Sequence, residues 1–405
     1  MRRRTLLLGA PLGALALGAC TDRAEESSPG PAPAPAVENP DPVILDEEAT
    51  VVDHAELRLP LEMSPMIVVD PGWTATPLEL DGIFLGYREE SEHLRFLAVE
   101  EDGTLLWQAD RPLTCTGFTL TRDEDGGTVA VLADVAPTED ALAGMTLTAY
   151  DLRSAEHLWG PVEAPGPQAA LGLVYAEPTD APMGQGGPRT ALSGATGEPL
   201  LAEQDLDPGE RILGEHLGNV LRIDGQELVL SGLDAAQTWR APVPAEIDPA
   251  RARLLGTIDP NTSFAALGDQ SGAGAVIDLA DGHVIAEDAR AVARDHVLAR
   301  TVVASGTTVR GLDDDGTELW VHEDPEPLQL LSAGERLAYA LRSEEGTLVV
   351  LDTNEGLMVQ PYDVDRTGPL AVPEVFSAQT AAAVRIEERR ILVTTRFDEG
   401  FGQRS

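Results

Sequence analysis

Internal repetition is the sequence feature that most constrains what this chain can fold into. Seven segments share one design, in which an alternating apolar strand, a polar turn and a second short apolar strand follow one another. Such a pattern predicts a β-hairpin. The segments are FLAVEEDGTLLW, LTAYDLRSAEHLW, TALSGATGEPLL, LVLSGLDAAQTW, AVIDLADGHVI, VRGLDDDGTELW and LVVLDTNEGLMV.

The turn residues of these hairpins set the length of the repeat. Successive turns lie 34 to 52 residues apart, at Gly103, Ala155, Gly197, Ala235, Gly282, Gly316 and Gly356. The average spacing of about 42 residues is the length of one four-stranded propeller blade. No stretch keeps a helical period over about twelve residues. We therefore expect an all-β propeller of seven or eight four-stranded blades over residues 43–405.

Tryptophan is concentrated at one position of the repeat. Four of the five Trp residues stand four residues after a turn, and only Trp73 does not. A large flat side chain on the outer strand of one blade can cover the apolar face of the next blade. We predict that these residues pack between blades, with stacking on a carbohydrate or a cofactor as the alternative. They are Trp107, Trp159, Trp239 and Trp320.

Further apolar strands precede the hairpins and supply inner strands for each blade. They lie at 82–88, 127–134, 170–177, 219–225, 262–269, 296–306 and 336–343. Near the end of the chain, AAAVRIEERRILVTTRF predicts two more strands. Paired with an N-terminal strand such as AELRLPLEM at 55–63, they would complete a blade and close the ring, which removes exposed sheet edges.

The N-terminus has the pattern of an export signal. MRRRT is followed by LLLGAPLGALAL and GAC, and the apolar part is shorter than the roughly twenty residues that span a bilayer. Leu17–Cys20 resembles the lipobox of bacterial lipoproteins, in which the Cys is acylated and the preceding bond is cut. We predict a signal peptide at 1–19 and lipidation of Cys20. The alternative is an ordinary secretory signal with an incidental Cys.

The segment that follows Cys20 is typical of a tether. Residues 20–42 contain few large apolar side chains and alternate Pro with Ala, so they cannot build a core. We therefore expect the domain to be held at the extracytoplasmic face of the cell membrane through the lipid on Cys20. The predicted organisation is a signal peptide, a tether and a propeller domain that begins at residue 43.

Charge limits the kinds of partner. The chain has 28 basic and 69 acidic residues, and every basic residue is Arg. Loss of Arg2, Arg3 and Arg4 with the signal peptide changes the net charge from −41 to −44. Such a surface repels nucleic acid and anionic lipid headgroups. We expect a monomer with an envelope protein as partner, although solubility alone also accounts for the acidity.

The turn sequences resemble the PQQ-like, or quinoprotein-like, β-propeller repeat, whose signature is Ala-Leu-Asp-x-x-Thr-Gly-x-x-x-Trp. Asp151 to Trp159, Asp278 to Gly282, and Asp352 to Gly356 reproduce parts of it. Ser193 and Ser231 stand where the signature has Asp. The resemblance implies a propeller over roughly residues 60 to 395 and a role either as a dehydrogenase or as a non-enzymatic lipoprotein.

The enzymes of this family typically hold the quinone against a disulfide between adjacent cysteines, with Ca²⁺ beside a catalytic Asp. This chain has only Cys20 and Cys115, which are far apart in sequence. No hydrolase elbow, phosphate loop or dinucleotide fingerprint is present. We therefore expect a protein- or ligand-binding scaffold without catalysis or cofactor. The alternatives are a quinoprotein-like dehydrogenase and an accessory or sensor subunit of an envelope complex.

Candidate metal ligands are sparse. The seven His residues show no pair at a metal-ligand spacing, and we expect no metal site. Asp363-x-Asp365-x-Thr367-Gly368 approximates a Ca²⁺ loop but lacks a third carboxylate. The acidic runs at 313–315 and 123–125 equally fit hairpin turns. Cys115 is expected to be a packing residue, since a free buried Cys behaves as a small hydrophobe.

Overall fold

The fold is an eight-bladed β-propeller. A computed structural model of the chain describes residues 39–135, 144–178, 186–344, 346–378 and 381–395, and its strands form eight sheets. The predicted all-β fold class is confirmed, and the number of blades is eight. The only helical turns in the described residues are 3₁₀ turns at His54–Glu56 and Glu203–Asp205. No helix in that part of the chain is long and apolar enough to cross a membrane.

Two strands precede the first complete blade, and blades 1 to 4 follow in chain order. The leading strands are β1 (Val43–Glu48) and β2 (Pro65–Trp73). Blade 1 contains β3 (Leu78–Leu80), β4 (Ile83–Glu89), β5 (His93–Glu100) and β6 (Thr104–Pro112). Blade 2 contains β7 (Phe118–Arg122), β8 (Thr128–Val135), β9 (Met145–Asp151) and β10 (His157–Glu163). Blade 3 contains β11 (Gln168–Ala170), β12 (Val174–Ala176), β13 (Arg189–Leu192) and β14 (Pro199–Ala202). Blade 4 contains β15 (Arg211–His216), β16 (Asn219–Asp224), β17 (Glu227–Ser231) and β18 (Gln237–Pro242).

Blades 5 to 8 complete the ring. Blade 5 contains β19 (Arg253–Leu255), β20 (Phe264–Gly268), β21 (Gly274–Asp278) and β22 (Val284–Glu287). Blade 6 contains β23 (Ala291–Asp295), β24 (Arg300–Ser305), β25 (Thr308–Leu312) and β26 (Glu318–Glu323). Blade 7 contains β27 (Leu328–Gly334), β28 (Leu337–Arg342) and β29 (Leu348–Asp352). Blade 8 contains β30 (Ala371–Phe376), β31 (Ala381–Ile386) and β32 (Arg389–Thr395), with β2 as its fourth strand.

The two ends of the chain close the ring by sharing blade 8. Strand β2 pairs antiparallel with β32, and Val68 lies opposite Val393 in that register. The predicted closure is therefore observed, but with a different N-terminal strand, because residues 55–63 do not pair with β32. Strand β1 instead adds a fifth strand to the outside of blade 1 through pairing with β6.

Residues 57–63 pack at the junction between blades 7 and 8. The side chains of Leu57, Leu59 and Met63 are buried against apolar residues of β30 to β32. Pro60 forms an isolated bridge with Tyr362, at the place where blade 7 lacks a regular fourth strand. The apolar residues of this segment thus belong to the core, as their pattern indicates, but the segment packs against blade 8 without being one of its strands.

Strand alternation places two kinds of loop on the same face of the ring. Each blade runs antiparallel from its first strand outward, so the loop after strand one and the hairpin after strand three lie at the same end. The first strands contact their neighbours around the centre, and β3 contacts both β7 and β30. The seven repeat turns therefore share a face with the inner loops that surround the central channel.

The seven turn residues identified in the sequence all adopt positive φ. Five are Gly, with φ between 71° and 93°, and the other two are Ala155 at 58° and Ala235 at 59°. Glycine enters this region without steric cost, whereas a side chain is strained there. The repeat residue is thus selected in part by backbone conformation.

The Trp residues on the outer strands reach from one blade to the next. The indole Nε1 of Trp107 donates to the Leu152 carbonyl oxygen at 2.7 Å, and that of Trp159 donates to the Gly194 carbonyl oxygen at 2.8 Å. Two further indoles make the same bond to the following blade, from Trp239 to Leu279 and from Trp320 to Thr353. Leu152, Leu279 and Thr353 are the first residues after the third strand of the next blade, and Gly194 is the second.

The indole rings cover the turn glycines of the following blade. A Cβ atom on Gly197 would lie 2.5 Å from the Trp159 ring, and a Cβ on Gly356 would lie 2.5 Å from the Trp320 ring. Real Cβ atoms do not approach an aromatic ring this closely. Blade contact therefore adds a second physical reason, besides positive φ, for glycine at these turns.

We expect Trp320→Ala and Trp159→Ala to lower the melting temperature sharply. Both side chains are at least nine-tenths buried, and truncation of a buried Trp costs about 3–5 kcal/mol. Leu319→Ala and Leu158→Ala are matched controls, because these neighbours lie on the same strands and are 44% and 39% exposed. Thermal unfolding followed by circular dichroism measures the effect. Equal melting temperatures for the Trp and Leu variants would contradict the packing role.

Candidate functional site

The inner loops at the centre of the ring form the candidate functional site, which we call the channel mouth. It consists of the loops that join the first and second strands of the blades, on the face that carries the repeat turns. Three of these loops are two-residue turns in which both residues have positive φ, as in hairpins whose turn twist matches that of the strands. They are Asp81–Gly82, Leu217–Gly218 and Glu335–Arg336.

A hydrogen bond spans the channel mouth between opposite blades. The Nδ2 atom of Asn261, in the inner loop of blade 5, donates to Glu79 Oε2 of blade 1 at 2.5 Å. The other Glu79 oxygen accepts from the Gly82 backbone N–H at 2.7 Å. Blades 1 and 5 are four positions apart in the ring of eight, so this contact crosses the centre of the propeller.

Burial makes the Glu79 carboxyl a weaker acid than usual. Its side chain is 3% exposed, and desolvation raises the pKa of this carboxyl from 4.5 to about 7. The bonds from Gly82 and Asn261 favour the ionised form and oppose the shift, whereas the nearby carboxylates of Asp259 and Asp81 add to it. Glu79 therefore titrates near neutral pH.

Two more buried carboxylates bond inner elements of different blades. Glu215 of blade 4 accepts from Thr121 Oγ1 of blade 2 at 2.7 Å and from the Leu173 backbone N–H of blade 3 at 2.9 Å. Asp295 of blade 6 accepts from Thr353 Oγ1 of blade 7 at 2.5 Å. Burial raises the pKa of both carboxyls above their ordinary values. These acids act as bonds between blades.

A cavity of about 530 Å³ opens at the channel mouth between blades 4, 5 and 6. Its apolar walls include Leu217, Leu230 and Leu279, together with the ring of Phe264. Its polar walls come from the inner loops of the same blades. They are formed by His216, Asn219, Asn261, Thr262, Ser263, Arg294 and His296.

The basic side chains of the cavity differ in charge state and in partner. Burial lowers the pKa of His216 from 6.5 to about 4, so its imidazole is neutral at pH 7. His296 Nε2 lies 3.2 Å from Asp259 Oδ2. The Arg294 guanidinium forms an ion pair with Asp314, and its Cζ lies 5.9 Å from the centre of the Phe264 ring.

One cluster in the described residues has the composition of a metal site. Asp278, Asp281 and His283 lie at the repeat turn of blade 5, between β21 and β22. Their ligand atoms lie within 4.8 Å of one another. Asp278 accepts from the Ala280 N–H, and Asp281 accepts from the His283 N–H at 3.0 Å. The carboxylates therefore already stabilise the turn. A search for His pairs in the sequence missed this cluster, which a search for mixed Asp and His spacing would find.

The Ca²⁺-like loop, residues 363–368, contacts the segment of residues 57–63. Asp363 Oδ1 accepts from the Asp365 backbone N–H at 2.9 Å, and no third carboxylate, Cys or His of the described residues completes a cluster there. Gly368, the last residue of the motif, accepts from Arg58 Nε at 3.1 Å through its carbonyl oxygen. The loop thus orients the chain that meets residues 57–63.

The remaining candidate residues divide between the core and the undescribed part of the chain. Cys115 is free and 3% exposed, and it packs with Trp159 in the core between blades 2 and 3. Burial raises the pKa of its thiol, which disfavours the reactive thiolate. Cys20, the signal peptide and most of the predicted tether lie outside the described residues.

The fifth Trp also lies on an outer strand, which the repeat spacing did not reveal. Trp73 is fully buried at the end of β2, between blades 8 and 1, and its Nε1 donates to the Leu97 carbonyl oxygen at 3.3 Å. It precedes blade 1 in sequence while belonging to blade 8 in space. The strand that carries Trp73 was not among those predicted from the sequence, and its partner β32 lies at the other end of the chain.

Comparison with known proteins places a family match on the last blades. The PQQ_2 family, described as outer membrane protein assembly factor BamB, matches residues 289–396, which span blades 6 to 8. No curated protein sequence matches the chain. Residues 289–396 are therefore similar to the PQQ_2 family.

Solved structures of low sequence identity also align with most of the chain. BamB from Moraxella catarrhalis is 14% identical with a TM-score of 0.44, over 83% of this chain and 98% of that one. The computationally designed Ika8 protein is 12% identical with a TM-score of 0.42, over 84% and 99%. Saccharomyces cerevisiae Sqt1 is 11% identical with a TM-score of 0.39, over 83% and 100%.

We expect Glu79→Gln to flatten the pH dependence of stability. The native state holds the Glu79 proton up to about pH 7, whereas the unfolded chain releases it near 4.5, so stability falls as pH rises through this window. The contribution of Glu79 to the free energy of unfolding falls by about 3 kcal/mol across this window, and the variant lacks this decrease. Urea unfolding at pH 5 and pH 8 measures it, with the exposed Glu89→Gln as control. Parallel curves for the native protein and Glu79→Gln would contradict the assignment.

Proposed function

We propose that this chain is an extracytoplasmic lipoprotein, anchored to the cell membrane through Cys20, whose propeller binds a protein partner without catalysing a reaction. The observation that carries the proposal is the use of the acidic groups at the channel mouth. Glu79, Glu215 and Asp295 bond residues of other blades. Their role is to hold the loops of different blades in one rigid arrangement, which is what a binding surface requires.

The loops of this face suit contact with a protein. Inner loops and repeat turns converge on one side of the ring, and loops held by a rigid scaffold are where binding residues concentrate. The cavity between blades 4 and 6 adds a concave feature to this face. A partner can therefore be recognised by shape and charge without a reactive group.

Charge favours a basic or neutral partner surface. The chain carries a formal charge of −41, and cleavage before Cys20 would change it to −44. Opposite charge on a partner speeds association, and salt weakens that attraction. The propeller is expected to act as a monomer that contacts an envelope protein.

The description of the matching family agrees with an accessory role. That family is described as an assembly factor of outer membrane proteins, and its match covers three of the eight blades. We take from it a role as a subunit or accessory factor of an envelope complex. A quinoprotein-like dehydrogenase is the alternative, but the adjacent cysteines typical of such enzymes are missing, because Cys115 is the only Cys after Cys20.

We expect Cys20→Ala to abolish lipidation and processing. The thiol of Cys20 is the acylation site in the proposal, so the variant should not incorporate an alkyne-labelled palmitate and should keep its signal peptide. Cys115→Ala is the matched control, since it removes the other Cys of the chain and should be labelled normally. Labelling followed by membrane fractionation gives the result. A Cys20→Ala protein that is processed and membrane-bound like the native chain would contradict the lipoprotein proposal.

We expect no dehydrogenase activity after reconstitution with PQQ and Ca²⁺. A dye-linked assay over simple alcohols and sugars tests this, with an authentic quinoprotein dehydrogenase as positive control. In parallel, affinity capture from envelope extracts should retain a protein partner at low salt and lose it at high salt. Saturable PQQ binding with turnover would overturn the proposal, whereas the absence of turnover together with salt-sensitive capture would support it.

A further inference from the structure

We infer that the cavity between blades 4, 5 and 6 is a docking pocket for a large apolar side chain of a protein partner, flanked in the partner's sequence by Lys or Arg. The inference rests on the proposed function, because it names the chemistry of the partner segment that this face binds. Three properties of the cavity support it. Its walls are partly apolar, most of its polar side chains are already bonded within the protein, and acidic residues lie at its rim.

The walls of the cavity favour an apolar group. Leu217, Leu230, Pro260, Phe264, Leu279 and Ala280 line it. Binding of an aromatic or aliphatic side chain there removes apolar surface from water on both partners. The volume of about 530 Å³ lies within the range of small-ligand pockets, so it accommodates one large side chain together with adjoining backbone.

Most of the seven polar side chains that line the cavity are bonded to other groups of the protein. They include His216 with the Thr262 backbone, Asn219 with the Leu217 carbonyl, Asn261 with Glu79, Arg294 with Asp314, and His296 with Asp259. A small polar ligand would have to compete with these bonds. An apolar side chain leaves them in place, and this distinction favours the apolar occupant.

Acidic groups surround the cavity and select the charge of the flanking residues. Asp278 and Asp281 bracket the lining residues Leu279 and Ala280 in the blade 5 turn, and the Asp281 side chain is 63% exposed. Asp259 precedes the lining residue Pro260, and Asp314 forms an ion pair with Arg294. Four carboxylates thus stand beside one guanidinium and two imidazoles, those of His283 and His296. Lys or Arg next to the inserted side chain is attracted by this rim.

Two positions of the blade 5 turn allow matched tests. Asp278 to Gly282 in blade 5 and Asp352 to Gly356 in blade 7 are the same repeat turn, so Ala280 corresponds to Asn354 and Asp281 to Glu355. Ala280 and Asn354 are both exposed, and only Ala280 lines the cavity. Ala280→Trp should therefore block the cavity, while Asn354→Trp places the same side chain at the equivalent turn elsewhere.

The experiment titrates the full chain, by calorimetry at low salt, with three peptides of five residues and with tryptamine. The peptides are acetyl-Gly-Lys-Trp-Lys-Gly-amide, its Glu-Trp-Glu counterpart and its Lys-Ala-Lys counterpart. We expect saturable binding of the Lys-Trp-Lys peptide, at least about tenfold tighter than either counterpart and than tryptamine. Equal binding of the Lys-Ala-Lys peptide, of the Glu-Trp-Glu peptide or of tryptamine would overturn the inference.

The variants locate the binding site. Ala280→Trp should weaken the Lys-Trp-Lys peptide about tenfold or more, and Asn354→Trp should leave it unchanged. Asp281→Asn should weaken it severalfold at low salt and less at high salt, whereas Glu355→Gln should have no effect. Equal affinity in Ala280→Trp and the native chain would overturn the pocket. That failure would leave the anchoring and the envelope capture of the proposed function as separate readouts.

Discussion

The ring depends on the contact between an outer-strand indole and the turn of the next blade. The Trp107 indole N–H satisfies the first carbonyl after the third strand of blade 2, and the Trp159 ring covers the turn glycine of blade 3. One side chain thereby supplies an apolar surface, a buried hydrogen bond and a steric requirement for glycine. A single blade cannot bury its faces, so this contact converts separate hairpins into one core. Where the Trp is absent, as at Leu201 and Ala286, smaller apolar side chains occupy the outer strand.

The repeat explains why the fold was predictable from the sequence and why the number of blades was not. Each of blades 1 to 6 has its third and fourth strands adjacent in sequence, and therefore presents a hairpin with a turn residue at positive φ. Blade 7 has the same turn, followed by a single bridge between Leu351 and Met358 in place of a fourth strand. Blade 8 has no such hairpin, because its outer strand β2 comes from the other end of the chain. The sequence predicts strands near the C-terminus, but it indicates residues 55–63 and not β2 as their N-terminal partner, because nothing local joins β2 to β32. The same separation concealed the position of Trp73 on an outer strand.

The channel mouth was beyond sequence reasoning for a related reason. Glu79 and Asn261 are 182 residues apart, and their bond exists only because the ring places blades 1 and 5 opposite each other. Neither residue belongs to a recognisable motif, and the same is true of His216 and His296 in the cavity walls. The acidic runs in the inner loop of blade 2 and in the repeat turn of blade 6, by contrast, could be interpreted locally. Asp123 and Asp313 accept backbone hydrogen bonds within their own turns, as turn chemistry predicts.

Desolvation separates the acidic groups of this face into two populations with different roles. Burial raises the pKa of Glu79 to about 7 and raises the pKa of Glu215 and Asp295 as well, because desolvation disfavours the charged carboxylate. The exposed Asp281 behaves oppositely, because hydrogen bonds from His283 lower its pKa. Desolvation therefore opposes ionisation at the centre, whereas the hydrogen bonds of the exposed turn favour it. A chain of strongly negative charge can thus keep a compact, bonded centre while presenting charge where a partner first makes contact.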